Sequence, residues 1–306
     1  MKLKEVYEEY INFTPLSRRT KEIYKYYFER FWLDRIGDIE ICDLSYDIVQ
    51  EGFNSLVKRY SYNTIKTYKS ALIKVVEIAE LKEGIVVNWK KHLYLGQRNA
   101  KKRYNANSMN EFIELMKHLY KCRSKNKKSY ILACWIGFFT GARLGEVLAL
   151  STNDINIAVG EININKTIGH DGIVSTTKTV DSIRTVFMCE ELKEILKKYL
   201  LTHENDILLP SAERGYITPN IVSSYISNWA KVHGYKIHFH TFREMFVKTM
   251  IDGGANIENV SALLGHANIT TTLNIYTKTT VEEQKKDVER IYNNLRIMNE
   301  IEKYKK

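Results

Sequence analysis

Proline is almost missing from this chain: only Pro15, Pro210 and Pro219 occur in 306 residues. Each pyrrolidine ring removes a backbone donor and breaks a helix interior, so long proline-free stretches favour helices. Glycines are also few, at fifteen, which points the same way. Residues 1 to about 95 read as wholly helical. Ser17 or Thr20 is placed to cap a helix carrying Tyr24, Phe28, Phe31 and Trp32, apolar positions three and four apart. Tyr62 to Ile78 repeats the pattern with Ile65, Tyr68, Ala71, Leu72, Val75 and Val76.

The second half is mixed. Helical periodicity covers about 108–122, 128–139 and 142–150, and resumes at about 190–201, 219–233, 241–253, 257–264 and 280–303. Between these blocks the chain alternates with period two over 155–165, 173–177 and 183–187. Gly160, the Gly169-His170-Asp171-Gly172 run and Asp181-Ser182 separate those segments, predicting a three-stranded antiparallel sheet of hairpins. The fold expected is mainly α: a helical bundle over 1–98, a basic linker over 99–107, and an α+β domain with a small antiparallel three-stranded sheet over 108–306.

Charge narrows the partner. Lys and Arg number 46 against 36 Asp and Glu, a formal charge of +10, which favours a polyanion. From Asn99 to Lys128 there are nine basic and two acidic residues, so +7 of the +10 falls in one stretch. A solvated linker and helix face would look the same; a phosphate-tracking surface is the alternative. The longest apolar run, Ile131 to Phe139, is nine residues, far below the roughly 20 that span a bilayer. The first thirty residues hold no apolar secretory core. Cys42, Cys122, Cys134 and Cys189 are scattered, with no CxxC pair, and read as reduced cytosolic thiols.

Four patches stand out. In Thr140-Gly141-Ala142-Arg143-Leu144-Gly145-Glu146, Gly141 can end the preceding helix and leave Arg143 at the start of the next. The planar fork of an arginine held there suits a phosphate, and Glu146 can pair with it or a neighbour. An ordinary surface Arg-Glu pair would carry the same letters. In His240-Thr241-Phe242-Arg243 the imidazole and guanidinium share a helix face, so one anion can meet both while the histidine moves protons. His238 and His240 form an HxH pair, but no carboxylate or cysteine spacing accompanies it, and no metal site is assigned. The third patch is Leu263-Leu264-Gly265-His266. The fourth is Thr271 to Thr277, containing Tyr276, one of 20 tyrosines.

As a set, TGARLGE, HTFRE, LLGH and TTLNIYTK resemble the boxes of the tyrosine recombinase (phage integrase) family. They occur in its order, with roughly 100 residues from Arg143 to His240, then 26 to His266 and ten to Tyr276. The TLNIYTK wording looks most like integrases of conjugative transposons and related phages. The resemblance implies a recombinase that cleaves and rejoins DNA through a 3′-phosphotyrosine, for integration or excision of a mobile element or resolution of a replicon. It implies Tyr276 as nucleophile, Arg143, Arg243 and His266 on the non-bridging oxygens, His240 assisting proton transfer, and a hairpin lysine as acid to the 5′-hydroxyl. Lys178, within TKTVDSIRT, is the candidate, and Lys166 the fallback. No cofactor or metal is implied.

The first half resembles the family's core-binding bundle. With residues 99–128 it is expected to close a basic clamp on duplex DNA; charge alone nominates Lys101, Lys102, Arg103, Arg18, Arg19 and Lys66 as phosphate contacts. The bundle pattern begins by about Thr14, leaving no room for a separate arm-binding domain. The final helix carries an apolar stripe (Val281, Val288, Ile291, Leu295, Met298, Ile301). It either docks on its own domain or, as the family implies, packs on a neighbouring protomer of a tetramer on DNA. Accessory DNA-bending proteins and a cytoplasmic, nucleoid-associated location complete the expectation. The alternatives are a type IB topoisomerase-like relaxing enzyme, a catalytically silent DNA-binding descendant, and a helical regulator without chemistry.

Overall fold

The computed structural model describes residues 1–97, 108–176, 183–213, 215–265 and 281–292. The chain divides into two units, Met1–Arg103 and Tyr104–Lys306. Each has its own core.

The secondary structure described for the first unit is helical apart from an isolated bridge between Lys2 and Glu40. It comprises α1 (Leu3–Phe13), α2 (Arg18–Tyr27), a π-helical turn over Phe28–Leu33, α3 (Asp34–Ile36), α4 (Tyr46–Val57) and α5 (Tyr62–Glu83). Serine hydroxyls cap three of these helices: Ser17, Ser45 and Ser61 accept from the backbone N–H of Thr20, Ile48 and Thr64. Each satisfies an orphan donor of a first turn. Gly84 ends α5 in the left-handed region, at φ 65°. Trp32 anchors the core, fully buried, its indole N–H donating to the Tyr68 carbonyl at 3.1 Å. Gly52 on α4 lets that ring approach; a Cβ there would lie 2.7 Å from it.

The second unit is built around α7 (Lys127–Thr140), whose residues from Ser129 to Thr140 are buried but for Ile131. Around it lie α6 (Ser108–Lys121), α8 (Leu144–Leu148), α9 (Glu190–Leu200), α10 (Pro219–Val232), α11 (Phe239–Asp252), α12 (Ile257–Leu264) and α13 (Val281–Tyr292). Phe112, Trp135, Phe138, Phe139, Phe242 and Phe246 fill its centre. No described helix is long and apolar enough to cross a membrane.

A three-stranded antiparallel sheet is present, but its strands differ from those predicted. Among the described residues there are two antiparallel sheets, not one. The three-stranded sheet has the order β1-β2-β5, formed by Ile155–Asn156, Glu161–Ile164 and Arg184–Phe187. The middle alternating segment contributes β4 (Val174–Thr176), which pairs instead with β3 (Lys166–Ile168) in a separate hairpin. Gly169 to Gly172 turn the chain straight back on β3, with Gly172 at φ 77°, while β5 returns to β2 with Ile162 opposite Val186. Periodicity marks a strand; it does not say which neighbour the strand takes.

Candidate active site

Gly141 ends α7 at φ 65°. A Cβ there would lie 2.7 Å from Phe246 and 2.9 Å from Leu264, so the turn admits only glycine without strain. Two residues on, Arg143 is the N-cap of α8. Its backbone N–H donates to Glu146 Oε2 at 2.8 Å and its Nη1 to Glu146 Oε1 at 2.8 Å. The side chain remains 43% exposed, whereas that of Glu146 is 4% exposed. Gly145 presses α8 onto the β3–β4 hairpin: a Cβ would meet the Ile168 carbonyl at 2.7 Å.

Helix α11 begins earlier than its periodicity predicts because His238 caps it. The ring Nδ1 accepts from the Thr241 backbone N–H at 3.1 Å and the Thr241 hydroxyl lies 2.8 Å away. His238 therefore serves the helix end. His240, in the first turn, faces solvent. Burial of its inner side, with the charges of Arg243, His238 and Arg143, lowers its pKa despite nearby Glu244. Three residues apart on α11, His240 and Arg243 share a helix face. Arg243 itself is buried; Nη1 donates to the Gly141 carbonyl at 2.8 Å and Nη2 to the Leu264 carbonyl at 2.7 Å. Burial, then the charges of Arg143 and Arg184, bring its pKa down to about 10, so it remains a cation at neutral pH.

The third arginine was not singled out from sequence. Arg184 opens β5 with a side chain 6% exposed. Its Nη1 and Nη2 fork onto Glu146 at 3.2 and 2.8 Å, and its Nε donates to the Leu263 carbonyl at 2.6 Å. Arg143 Nη2 donates to the Gly265 carbonyl at 3.3 Å. Three consecutive carbonyls at the end of α12, from Leu263, Leu264 and Gly265, thus accept from three different guanidiniums. The last carbonyls of a helix lack intrahelical donors and carry the negative end of its dipole, so they collect cations. Burial would raise the Glu146 pKa, but the hydrogen bonds and charge of Arg184, then those of Arg143, hold it below the usual carboxylate range. Three cations and one anion leave a net positive cluster.

Arg143, Arg243 and His240 come together here. His266, directly after Gly265, lies outside the described residues, as do Tyr276 and Lys178. Lys166 is committed elsewhere: its ammonium sits 2.7 Å from Asp154 and donates to Ser151 Oγ at 3.0 Å. Among the charge-nominated residues, Lys101, Lys102 and Arg103 lie outside the described residues. Arg18, Arg19 and Lys66 are exposed on α2 and α5 of the first unit, Arg18 pairing with Glu22 at 3.0 Å. Lys66 lines a concavity of about 430 Å³ with Tyr24, Tyr62, Lys69, Ser70 and Lys74.

Over 281–292 the final helix packs on its own unit. Val288, Ile291 and Tyr292 are buried against the core of the second unit. The Tyr292 hydroxyl donates to the Phe138 carbonyl at 2.8 Å and its ring stacks on Phe246. Arg290 donates to the Gly253 carbonyl at 2.8 Å. Nothing of Val281's side chain is described, and Leu295, Met298 and Ile301 lie outside the described residues.

The sequence profile of the phage integrase family matches residues 102–283. The ICEBs1 integrase of Bacillus subtilis is 26% identical over 265 residues, covering 82% of this chain and 69% of that protein. A XerC-like tyrosine recombinase of Caldanaerobacter subterraneus is 29% identical over 184 residues, 50% of this chain and 46% of the relative. The chain therefore spans about half the length of that relative. Among solved structures, the Tn1549 transposon integrase in complex with transposon right-end DNA superposes with a TM-score of 0.74 at 17% identity, covering 95% of this chain and 100% of that one. A lambda integrase tetramer bound to a Holliday junction gives 0.68 at 17% identity, over 91% of this chain and 79% of that one. At these identities the superpositions establish the fold.

Proposed function

The chain belongs to the phage integrase family of tyrosine recombinases, and from that premise we propose that it breaks and rejoins duplex DNA at specific sites through a covalent 3′-phosphotyrosine on Tyr276. The observation that carries the site reading is the convergence of three guanidiniums and one carboxylate at the end of α12, beside His240 and one residue before His266.

The chemistry follows from these groups. A phenol ordinarily ionises near pH 10, so its attack on a phosphodiester needs a stabilised transition state and a route for its proton. Arg143, half exposed, and the N–H groups of Arg243 not spent on the Gly141 and Leu264 carbonyls would hold the non-bridging oxygens and offset the charge growing on them. His266 would add a donor to the same oxygens. His240, with its pKa lowered, is neutral at pH 7 and would take up the phenol proton. The Tyr276 oxygen forms a bond to phosphorus as the bond to the 5′-oxygen breaks; Lys178 would hand that oxygen a proton. Reversal by a 5′-hydroxyl from another strand rejoins DNA without external energy, because the phosphodiester is exchanged, not hydrolysed. Lys178 is favoured over Lys166 because the Lys166 ammonium is paired with Asp154.

A four-strand exchange requires two duplexes, hence four protomers; the lambda integrase tetramer supports that stoichiometry by analogy of fold. Exposed Arg18, Arg19 and Lys66, together with Lys101, Lys102 and Arg103, would supply phosphate contacts. A nicked duplex containing the recombination site, which traps the covalent adduct by losing its 5′-hydroxyl fragment, tests the cleavage. Exchange between two differently labelled duplexes separates recombination from relaxation of a single duplex.

A further inference from the structure

We propose that Arg184 is a positioning residue of this reaction: it holds the Glu146 carboxylate and the Leu263 carbonyl so that Arg143 can leave Glu146 for a phosphate. The inference rests on the reading of Arg143 as a phosphate ligand.

The two arginines share one acid and differ in freedom. Arg143 is 43% exposed at its side chain and Arg184 only 6%. Glu146 Oε1 accepts from Arg143 Nη1 and Arg184 Nη1; Oε2 accepts from the Arg143 backbone N–H and Arg184 Nη2. When the Arg143 side chain turns to a phosphate oxygen, one of these four donors leaves. The other three stay, two of them from Arg184. Without Arg184, the same movement would strand a buried carboxylate on a single backbone N–H. Abandoning a buried charge is strongly unfavourable, so Glu146 would retain Arg143 and the phosphate would lose a ligand. The other charged groups nearby do not replace Arg184: Arg243 is engaged with the Gly141 and Leu264 carbonyls, and Lys166 with Asp154.

Arg184 also fixes the exit of α12. Its Nε takes the Leu263 carbonyl, and its side chain lies against Gly265, where a Cβ would come within 3.1 Å of Cδ and of Nη1. The C-terminal end of α12 at Leu263 and Gly265 is therefore held by this guanidinium. Lysine cannot do both tasks, because an ammonium has no planar fork.

Single-turnover adduct formation on the nicked duplex, with equilibrium DNA binding measured in parallel, tests the proposal. Arg184→Met is expected to slow adduct formation about 100-fold, the scale of a displaced catalytic group, with DNA affinity nearly unchanged. Arg184→Lys is expected to recover only part of the rate. Adding Glu146→Gln to Arg184→Met is expected to speed cleavage relative to Arg184→Met alone, since the acid that retains Arg143 is gone; a purely structural role would make the double variant worse. Wild-type rates in Arg184→Met, or a double variant no faster than the single, overturn the proposal. If Arg184→Met shows no cooperative unfolding transition, Arg184→Lys decides: slowed cleavage at unchanged affinity supports it, and an unchanged rate overturns it. A wild-type chain that forms no adduct overturns the reaction itself and the role of Arg184 with it, whereas active wild type with equally active Arg184 variants overturns that role alone.

Discussion

At the scale of the residue, buried charge distinguishes architecture from chemistry. Glu146 is ionised in the folded chain because two arginines surround it, and its folded pKa lies below its unfolded value. Such a group contributes stability above the unfolded pKa and loses it as pH falls through the folded one. Glu146→Gln is expected to cost about 3 to 5 kcal/mol at pH 7, as for a broken buried pair. In urea titrations the gap from wild type should narrow below about pH 4, where free carboxyls protonate. The lysines divide in the same way. Lys166→Met strips the charged partner from Asp154, which is 8% exposed, and is expected to cost about 1.5 to 3 kcal/mol, the range for hydrogen bonds to charged groups. Lys178→Ala is expected to leave the unfolding midpoint in place and reduce adduct formation. The opposite assignment of losses would make Lys166 the acid. Arg143, His240 and Arg243 could be nominated from sequence because each lies in a distinctive run of letters. Arg184 lay in plain view within TKTVDSIRT, and its signal was a guanidinium opening a strand that ends in Val186 and Phe187. Only the fold shows that Glu146 and the end of α12 both reach it.

At the scale of the element, local rules governed helices and failed for strand partners. Ser17 and Gly141 begin and end helices where the letters place them, and Ser61 and Gly265 do the same by the same local rule, since capping is settled within one turn. The hairpin partner of β4 depends instead on a four-residue turn, and alternation is blind to it. The last helix shows the same limit. An apolar stripe fits its own domain as well as a neighbour's groove, and the decision falls to Tyr292, whose hydroxyl finds the Phe138 carbonyl within a ring of aromatic side chains. Tyr292→Phe is expected to cost about 1 kcal/mol, one hydrogen bond, and Tyr292→Ala about 3 to 5 kcal/mol, a large buried ring. Thermal unfolding of the second unit would report both. A Tyr292→Ala variant as stable as wild type would mean that α13 is not docked on its own unit in solution.

At the scale of the whole molecule, two cores and one concentration of positive charge organise the chain. Each unit buries its own aromatic centre, so each has the means to fold as a unit. The formal charge of +10 implies that DNA affinity comes largely from phosphate contacts. Affinity should fall linearly on a log–log plot against salt, with a slope of about −0.9 for each phosphate neutralised. Replacing Lys66 or Arg19 should make that slope shallower, while Arg143→Ala should weaken cleavage far more than binding. The most direct measurement of the reaction is peptide mapping of the covalent adduct trapped on a nicked recombination site. Wild-type protein is expected to carry the 3′-phosphoryl DNA on the peptide containing Tyr276, and Tyr276→Phe to bind the same DNA without forming an adduct. DNA attached to any other residue, or an adduct formed by Tyr276→Phe, would contradict it.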